Sequence, residues 1–410
     1  MRAKPTPHHT DIPTAESSHL AEAVAKAPPA ILRKRIPRPL FITAVAIGIG
    51  LRIWVSTLGY NFDFESYAVV ASIIDSGGNV YAETHRYNYG PVWMYAVHAA
   101  SQFASFFDDP IAAFGFYFTI LLTLGDLGLC LLLKRRGGDG VALLFFLNPI
   151  SIIITGYHRQ FGNLALLLGL VAADLFDRGE TDRLGWQKWL GMAVLALSLA
   201  TKHLLFAFPW WLAVKQRRPF HRFVVLVVPV ALFMASFLPF WHEGSQGITD
   251  HVFLYRSSQN APLWNGLVPP VISAVVPATV GLLLALTVAG LVFRRTSAFA
   301  SMLLYTAVLL VFSPAMANQY LALAMPFVVW FLNPFGIAYT VAATLHLMAS
   351  SDGLALISGV NDRWLYTWGF TVLVGMLLLT VAWIFYRDSI IGSSRRVGRW
   401  LGHEIGRLFR

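Results

Sequence analysis

Twelve apolar runs of roughly membrane-spanning length, separated by polar stretches, occupy most of the chain between residues 38 and 386. They fall at about 38–60, 111–133, 140–156, 162–177, 189–201, 203–215, 221–241, 267–293, 297–312, 319–333, 334–349 and 365–386. A run of about 20 apolar residues can cross a bilayer as one helix. Composition agrees: 56% of residues are apolar and 13% charged, where a soluble domain carries roughly a quarter charged residues. The expectation is an all-α polytopic membrane protein of about twelve transmembrane helices. Two of the runs, "WLGMAVLALSLA" and "HLLFAFPWWLAV", are short and flank Thr201 and Lys202. At 1.5 Å per residue each covers only about 20 Å of a ~30 Å core, so a hairpin there would sink Lys202 below the membrane surface.

Lys and Arg set the direction of insertion. The segment that decides it is "PVWMYAVHAASQFASFF" at 91–107. If it lies on or dips into the outer surface, 25 Lys and Arg face the cytoplasm. Five (Arg86, Arg159, Lys202, Arg256 and Arg363) then face outward, and Arg52 lies inside the first run. If the segment crosses instead, 11 lie inside and 19 outside. The first arrangement follows the positive-inside rule and puts both termini in the cytoplasm. The net charge of +10 then belongs to cytoplasmic loops rather than to a nucleic-acid surface. Residues 1–37, rich in Pro, Ala, His and Ser without apolar periodicity, read as a disordered cytoplasmic tail and not as a signal peptide. Residues 387–410 read as a basic cytoplasmic tail. The single cysteine, Cys130, excludes an internal disulfide and a cysteine-based metal site.

The polar residues gather outside. The first outer loop, 61–110, carries Asp63, Glu65, Arg86, Tyr87 and Tyr89 and is expected to form interfacial helices. The second, "TGYHRQFGN", adds His158, Arg159 and Gln160; the third is the Lys202-His203 turn. The loop 242–266 adds Arg256 and Trp264, and "SPAMANQY" adds Gln319. An extracytoplasmic site has no supply of nucleotide sugars, so an activated sugar reaches it on a lipid phosphate. Such a donor needs cations for its phosphate, aromatics and amides for its sugar, and one carboxylate as base. Asp63 directly follows the first run, close to the membrane plane. Glu65, two residues on, would point away from it on an interfacial helix.

The chain resembles the GT-C superfamily of polyprenyl-phosphate-sugar-dependent glycosyltransferases in four segments that recur there in this order. They are "DFE" at 63–65 ahead of an amphipathic helix, "YNYGPVWMY" at 87–95, "GYHRQFGN" at 156–163 and "LATKHLLFAFP" at 199–209. The likeness is greatest to the dolichyl-phosphate-glucose glucosyltransferase family of N-glycan precursor assembly, and it covers roughly residues 40–265. The resemblance implies a GT-C catalytic module at 38–265, variable C-terminal transmembrane helices at 266–386, and no cofactor. It places the catalytic base on Asp63. The family's tyrosine-proline-proline turn falls on Tyr89-Gly90-Pro91, its His-x-His-Phe-Gln-Tyr-Asn loop is matched in part by 157–163, and its Lys-Gln pair falls on Lys202-His203. The partners implied are a polyprenyl-phosphate-linked sugar, a glycan or glycolipid acceptor and membrane lipid. The chain is shorter than the eukaryotic members, which points to a bacterial relative with another acceptor.

Plainer readings stand beside these. An acid just outside a span is often only solvated, and lone outer cations such as Arg86 and Arg256 also anchor headgroups. His158 and His203 fit hydrogen-bonded packing residues as well as ligands. Asp63, Glu65 and His158 fit a Mg or Mn site by residue type, though the family needs no metal. Trp54, Trp93, Trp210, Trp241 and Trp264 sit at span ends like an aromatic belt. A transporter or lipid flippase is the rival class. It predicts paired repeats and midplane charges in both halves. The evident intramembrane charges, Arg52 and Asp126, are both in the early half.

Overall fold

The computed structural model describes residues 27–180, 183–255 and 260–386. Residues 1–26 and 387–410 of the two tails, and Arg256, lie outside these. Among the described residues all regular structure is helical. The elements that matter below are α1 (Arg38–Ser56), α2 (Phe62–Asp75), α3 (Pro91–Ala104), α4 (Pro110–Gly137), α5 (Asp139–Phe146) and α6 (Pro149–Gly156). They continue as α7 (Gly162–Arg178), α8 (Trp186–Thr201), α9 (Phe208–Ala213), α10 (Pro219–Ala235), α11 (Ala278–Val292), α12 (Ala298–Phe312) and α13 (Pro334–Ala349). The last, α14, covers Asp362–Tyr386.

Four helical stretches are long and apolar enough to cross a membrane: α1, α4, the path Pro219–Phe253 that α10 opens, and α14. A fifth is α5 with α6, bent by 48° at Leu147-Asn148. The remaining apolar runs are shorter or broken helices. Proline accounts for several of the breaks. It starts helices well and continues them badly, and Pro209 opens α9 after the 3-10 turn His203–Leu205. In the same way the run 319–333 splits into a 3-10 helix, Asn318–Ala324, and a helix at Met325–Trp330 with Pro326 in its first turn. The segment 91–107 forms α3, which packs on α2, α4 and α8.

Burial separates two kinds of helix. On α1, Leu40, Ile47, Leu51 and Trp54 face outward while Phe41, Gly48, Arg52 and Val55 face in. By contrast α12 is buried on every residue from Ala298 to Val311 and forms the middle of the bundle. Caps set the starts: Asp109 accepts from Ala112 N at 3.0 Å, Asn148 from Ile150 N at 2.9 Å, and Asn333 from Phe335 N at 3.0 Å.

At the crossing of α1, α4 and α6 lies a buried ion pair. Arg52 donates Nε to Asp126 Oδ2 at 3.0 Å and Nη2 to the same oxygen at 2.9 Å, and both side chains are wholly buried. The rest of the guanidinium reaches the carbonyls of Gly48 (3.0 Å) and Phe146 (2.9 Å) and Ser151 Oγ (3.1 Å). Asp126 also accepts from Ser151 (3.1 Å), Thr155 (2.7 Å) and Asn163 (2.9 Å). Gly156 lets α6 approach this closely, since a Cβ there would lie 2.7 Å from the Arg52 carbonyl. Removing one member of such a pair strands a buried charge, at a cost of about 3–5 kcal/mol. Arg52→Leu is therefore expected to lower the melting temperature of the purified protein strongly. The double variant Arg52→Leu/Asp126→Leu should be less destabilised than the single one; the reverse order would mean the pair is not what holds this crossing.

Candidate functional site

Four segments converge at one end of the bundle: the start of α2, the loop Tyr157–Phe161 between α6 and α7, Lys202 after α8, and the 3-10 helix Asn318–Ala324. The chain reaches α2 through Gly59, whose φ of 136° suits glycine and whose missing Cβ makes room for the Tyr157 ring. Asn61, extended, stands at the N-cap position of α2 without a side-chain cap bond and leaves Asp63 in the first turn.

Asp63 is half-buried. Its Oδ2 accepts from Gln160 Nε2 at 2.5 Å and from Asn61 Nδ2 at 3.4 Å. Gln160 turns its other end to Lys202, whose Nζ donates to Oε1 at 3.2 Å. The amide of Gln160 thus bridges an acid and a base. Lys202 is 4% exposed, and its ammonium sits over the rings of Phe161 (4.9 Å), Tyr89 (5.2 Å) and Tyr320 (5.7 Å). No described carboxylate forms an ion pair with it. Burial pushes the Asp63 carboxyl above its ordinary value, against the pull of Lys202, Asn61 and Arg86.

Arg86 approaches from the other side. It stacks over Phe62 (4.1 Å) and pairs at 3.7 Å with Glu65, which is exposed and points away from Asp63 as helical spacing requires. Its Nε and Nη2 are nevertheless buried without a hydrogen-bond partner. His158 is fully buried, and its Nδ1 faces Asn61 Nδ2 at 3.0 Å, so it accepts there and carries its proton on Nε2. Burial holds this imidazole neutral, down at about 3. Its Nε2 has no partner. Asp63, Glu65 and His158 do not converge on one point, and no group of three His, Cys, Asp or Glu side chains does so among the described residues.

Several other expected residues are engaged elsewhere. Arg159, at φ 50°, directs its guanidinium to the end of α1, donating to Ser56 O at 2.9 Å and Gly59 O at 3.4 Å, with Phe64 beneath it. Tyr87 donates to Gly90 O at 2.6 Å and packs between Tyr81 and Tyr89. His203 sets its ring 6.3 Å from Phe233 with Nδ1 unpartnered. Trp264 packs on Gly281 of α11. Gln319 hydrogen-bonds the side chain of Tyr320. Arg256 is outside the described residues.

A floor of aromatic rings lies under the cluster. Trp93 stacks on Phe161 at 3.9 Å and 12°, and Tyr89 meets Phe161 edge-on at 4.7 Å. Tyr67 and Phe118 close the group. This explains much of the tyrosine content of the first loop, which builds the floor as well as the rim.

Asp352 was missed by sequence reasoning. It lies in the loop after α13 and is held by Asn318 Nδ2 (3.4 Å), two residues before the Tyr320 that covers Lys202. Burial, and next the charge of Asp63, push it up to about 6. Asn318 is itself fixed by His346 (2.9 Å) and Ser350 (3.0 Å). The one available signal was an acid placed shortly after an apolar run, the same signal that singled out Asp63.

Comparison with protein-family models, with curated proteins and with solved structures finds no match, so the geometry carries the functional reading.

The Tyr89-Gly90-Pro91 turn locks the floor to α8. A Cβ on Gly90 would stand 2.1 Å from the Ala200 carbonyl oxygen, two residues before Lys202. Backbone would have to move, and overpacking of this kind costs about 1–3 kcal/mol. Gly90→Ala is expected to lower the melting temperature measurably. An unchanged value would mean the turn does not press on α8.

Proposed function

We propose that this chain is a GT-C-type membrane glycosyltransferase. It transfers a hexose from a polyprenyl-phosphate sugar to an extracytoplasmic glycan or glycolipid acceptor by inverting displacement. The observation that carries this reading is the Asp63–Gln160–Lys202 bridge, with a buried, carboxylate-free ammonium at one end and the under-bonded Arg86 guanidinium nearby. A base and two cations with spare N–H donors suit a reaction in which a proton is removed and a phosphate departs. In this reading the helices form about twelve crossings with both termini cytoplasmic, and the Asp63 end faces outward.

The step is a single displacement. Asp63 takes the proton of an acceptor hydroxyl while that oxygen bonds to the anomeric carbon. The bond from that carbon to the phosphate oxygen breaks, and the electron pair leaves with the polyprenyl phosphate. Lys202 and Arg86 stabilise the charge that collects on it. No second acid is required, because a phosphate departs as an anion. Gln160 and Asn61 orient the base, and His158 orients Asn61. Tyr89 and Tyr320, whose rings lie by Lys202, and Asp352, held by Asn318, would offer donors and acceptors to sugar hydroxyls. A transporter would favour unsatisfied charges along a path. The Arg52–Asp126 pair is instead hydrogen-bonded all round, which favours the enzyme.

Reconstitution with a polyprenyl-phosphate sugar tests the proposal, and solute flux without sugar transfer would overturn it. Asp63→Asn should abolish turnover while leaving donor binding largely intact, and Glu65→Gln should be milder. Lys202→Met should cost at least ~100-fold in turnover, the scale of one lost charge-stabilising donor, with Lys202→Arg recovering part.

The pH profile follows from the burial of Asp63. A base with a raised pKa is lost on acidification sooner than an ordinary aspartate, whose midpoint is near 3.9. Activity should therefore fall with pH at a midpoint above that value. Asp352, pushed up to about 6, is largely neutral over the acid range where the Asp63 limb falls, so Asp352→Asn should leave that limb in place. A limb that moves to lower pH would mean that Asp352 still carries its charge where Asp63 titrates.

A further inference from the structure

Asp352 stands on a buried polar network that no step of the displacement uses. Asn318 is wholly buried and His346 is 4% exposed. His346 Nε2 lies 2.9 Å from Asn318 Oδ1, which only accepts, so the imidazole carries its proton there. That contact fixes which way the amide faces. Asn318 Nδ2 is left to Ser350 Oγ (3.0 Å), Asp352 Oδ2 (3.4 Å) and Tyr366 Oη (3.4 Å). The loop that carries Asp352 is also held by its backbone. Gly353 N donates to Ser350 O at 2.9 Å, Leu354 N to Leu347 O at 2.8 Å, and Ser351 N to Asp362 Oδ1 at 3.0 Å. A Cβ on Gly353 would stand 2.1 Å from the Leu347 carbonyl oxygen, so the turn has no slack.

This rigid mount presents an under-used carboxylate. A carboxylate has about four acceptor sites, and among the described residues Asp352 is met by Asn318 at 3.4 Å and by Tyr366. A half-buried acid with spare acceptor capacity has room for further donors. Its place is beside the Lys202 site. Asn318 opens the 3-10 helix whose Tyr320 ring faces the Lys202 ammonium at 5.7 Å. The charge of Asp63 acts on Asp352, and the Tyr157 phenol is raised by burial first and by Asp352 second.

We propose that Asp352 selects the transferred sugar by accepting hydrogen bonds from two neighbouring hydroxyls of the donor hexose, with Asn318 and His346 as positioning residues behind it. This rests on the glycosyltransferase reading above. In that reading the donor phosphate goes to Lys202, and the hexose is joined to that phosphate through one oxygen. It therefore lies next to Tyr320 and the Asp352 loop, while the acceptor hydroxyl comes to Asp63. Sugar hydroxyls are donors, and the two oxygens of a carboxylate can take two of them side by side. A site built to bond a hydroxyl rejects an analogue that lacks it, because its own polar group is then left unpaired.

Purified full-length protein in lipid nanodiscs is titrated with bare polyprenyl phosphate and with polyprenyl phosphates carrying glucose, mannose or galactose, each intact or lacking one hydroxyl. The titrations are run above the value of about 6 at which Asp352 ionises. With the preferred hexose, the wild type should bind two monodeoxy donors roughly 10- to 100-fold more weakly, the scale of a hydrogen bond to a charged group. Their missing hydroxyls should be adjacent. Asp352→Ala should lose at least as much on the intact donor and little more on those two, since a contact can be lost only once. It should bind bare polyprenyl phosphate as the wild type does. Asp352→Asn, which keeps the shape without the charge, gives the same reading if the alanine variant does not fold. His346→Leu should weaken the same two discriminations; a lowered melting temperature with the wild-type pattern would overturn its positioning role. Equal responses of the wild type and Asp352→Ala to every monodeoxy donor would overturn the assignment and leave the transferase reading standing. A wild type that binds neither bare nor glycosylated polyprenyl phosphate would overturn that reading and this proposal with it.

Discussion

The Arg52–Asp126 pair is the constraint on which the rest of the site depends. Two charges with no solvent access are tolerable only if their own lone pairs and N–H groups are satisfied. Here that requirement draws in the carbonyls of Gly48 and Phe146, and the side chains of Ser151, Thr155 and Asn163. Those groups belong to α1, α5, α6 and the first turn of α7. Once they are tied to one another, the end of α1 and the loop from α6 to α7 have little freedom left. The first delivers Asp63 and the second delivers Gln160, so the 2.5 Å contact between them follows from a network buried among the helices.

The site itself is a place where charge is kept from water. Lys202 is surrounded by an amide oxygen and three ring faces, and its nearest acid is reached only through Gln160. Aromatic faces are a weak substitute for a counter-ion. An arrangement of this kind costs stability in the resting protein and strengthens any interaction with an anion that arrives. The aromatic floor of Tyr67, Tyr89, Trp93, Phe118 and Phe161 keeps the surroundings rigid while that cost is carried.

Much of this was readable in the sequence, for physical reasons. Apolar runs report helices well, so the all-helical architecture followed from composition and pattern, while the packing of α3 on α2 did not. They report continuity poorly: the run 319–333 and the stretch after Lys202 are broken at prolines and 3-10 turns, and hydropathy averages do not see such breaks. The separation of Asp63 from Glu65 came from helical spacing. The role of Gln160 as a bridge did not, because it depends on three segments meeting. Arg159 was expected among the phosphate ligands for its charge, yet its backbone conformation turns it onto the end of α1. Asp352 went unnoticed because its neighbour Asn318 lies 34 residues away, a contact that no local pattern encodes.

The most direct measurement of the central claim is an experimental structure of the protein with a polyprenyl-phosphate sugar bound in a lipid bilayer. The account predicts the phosphate within charge-assisted hydrogen-bond reach of Lys202, about 2.7–2.9 Å, with the anomeric carbon on the Asp63 side and the polyprenyl tail running out between helices into lipid. A phosphate lodged away from Lys202, or a sugar whose anomeric carbon faces away from Asp63, would contradict it.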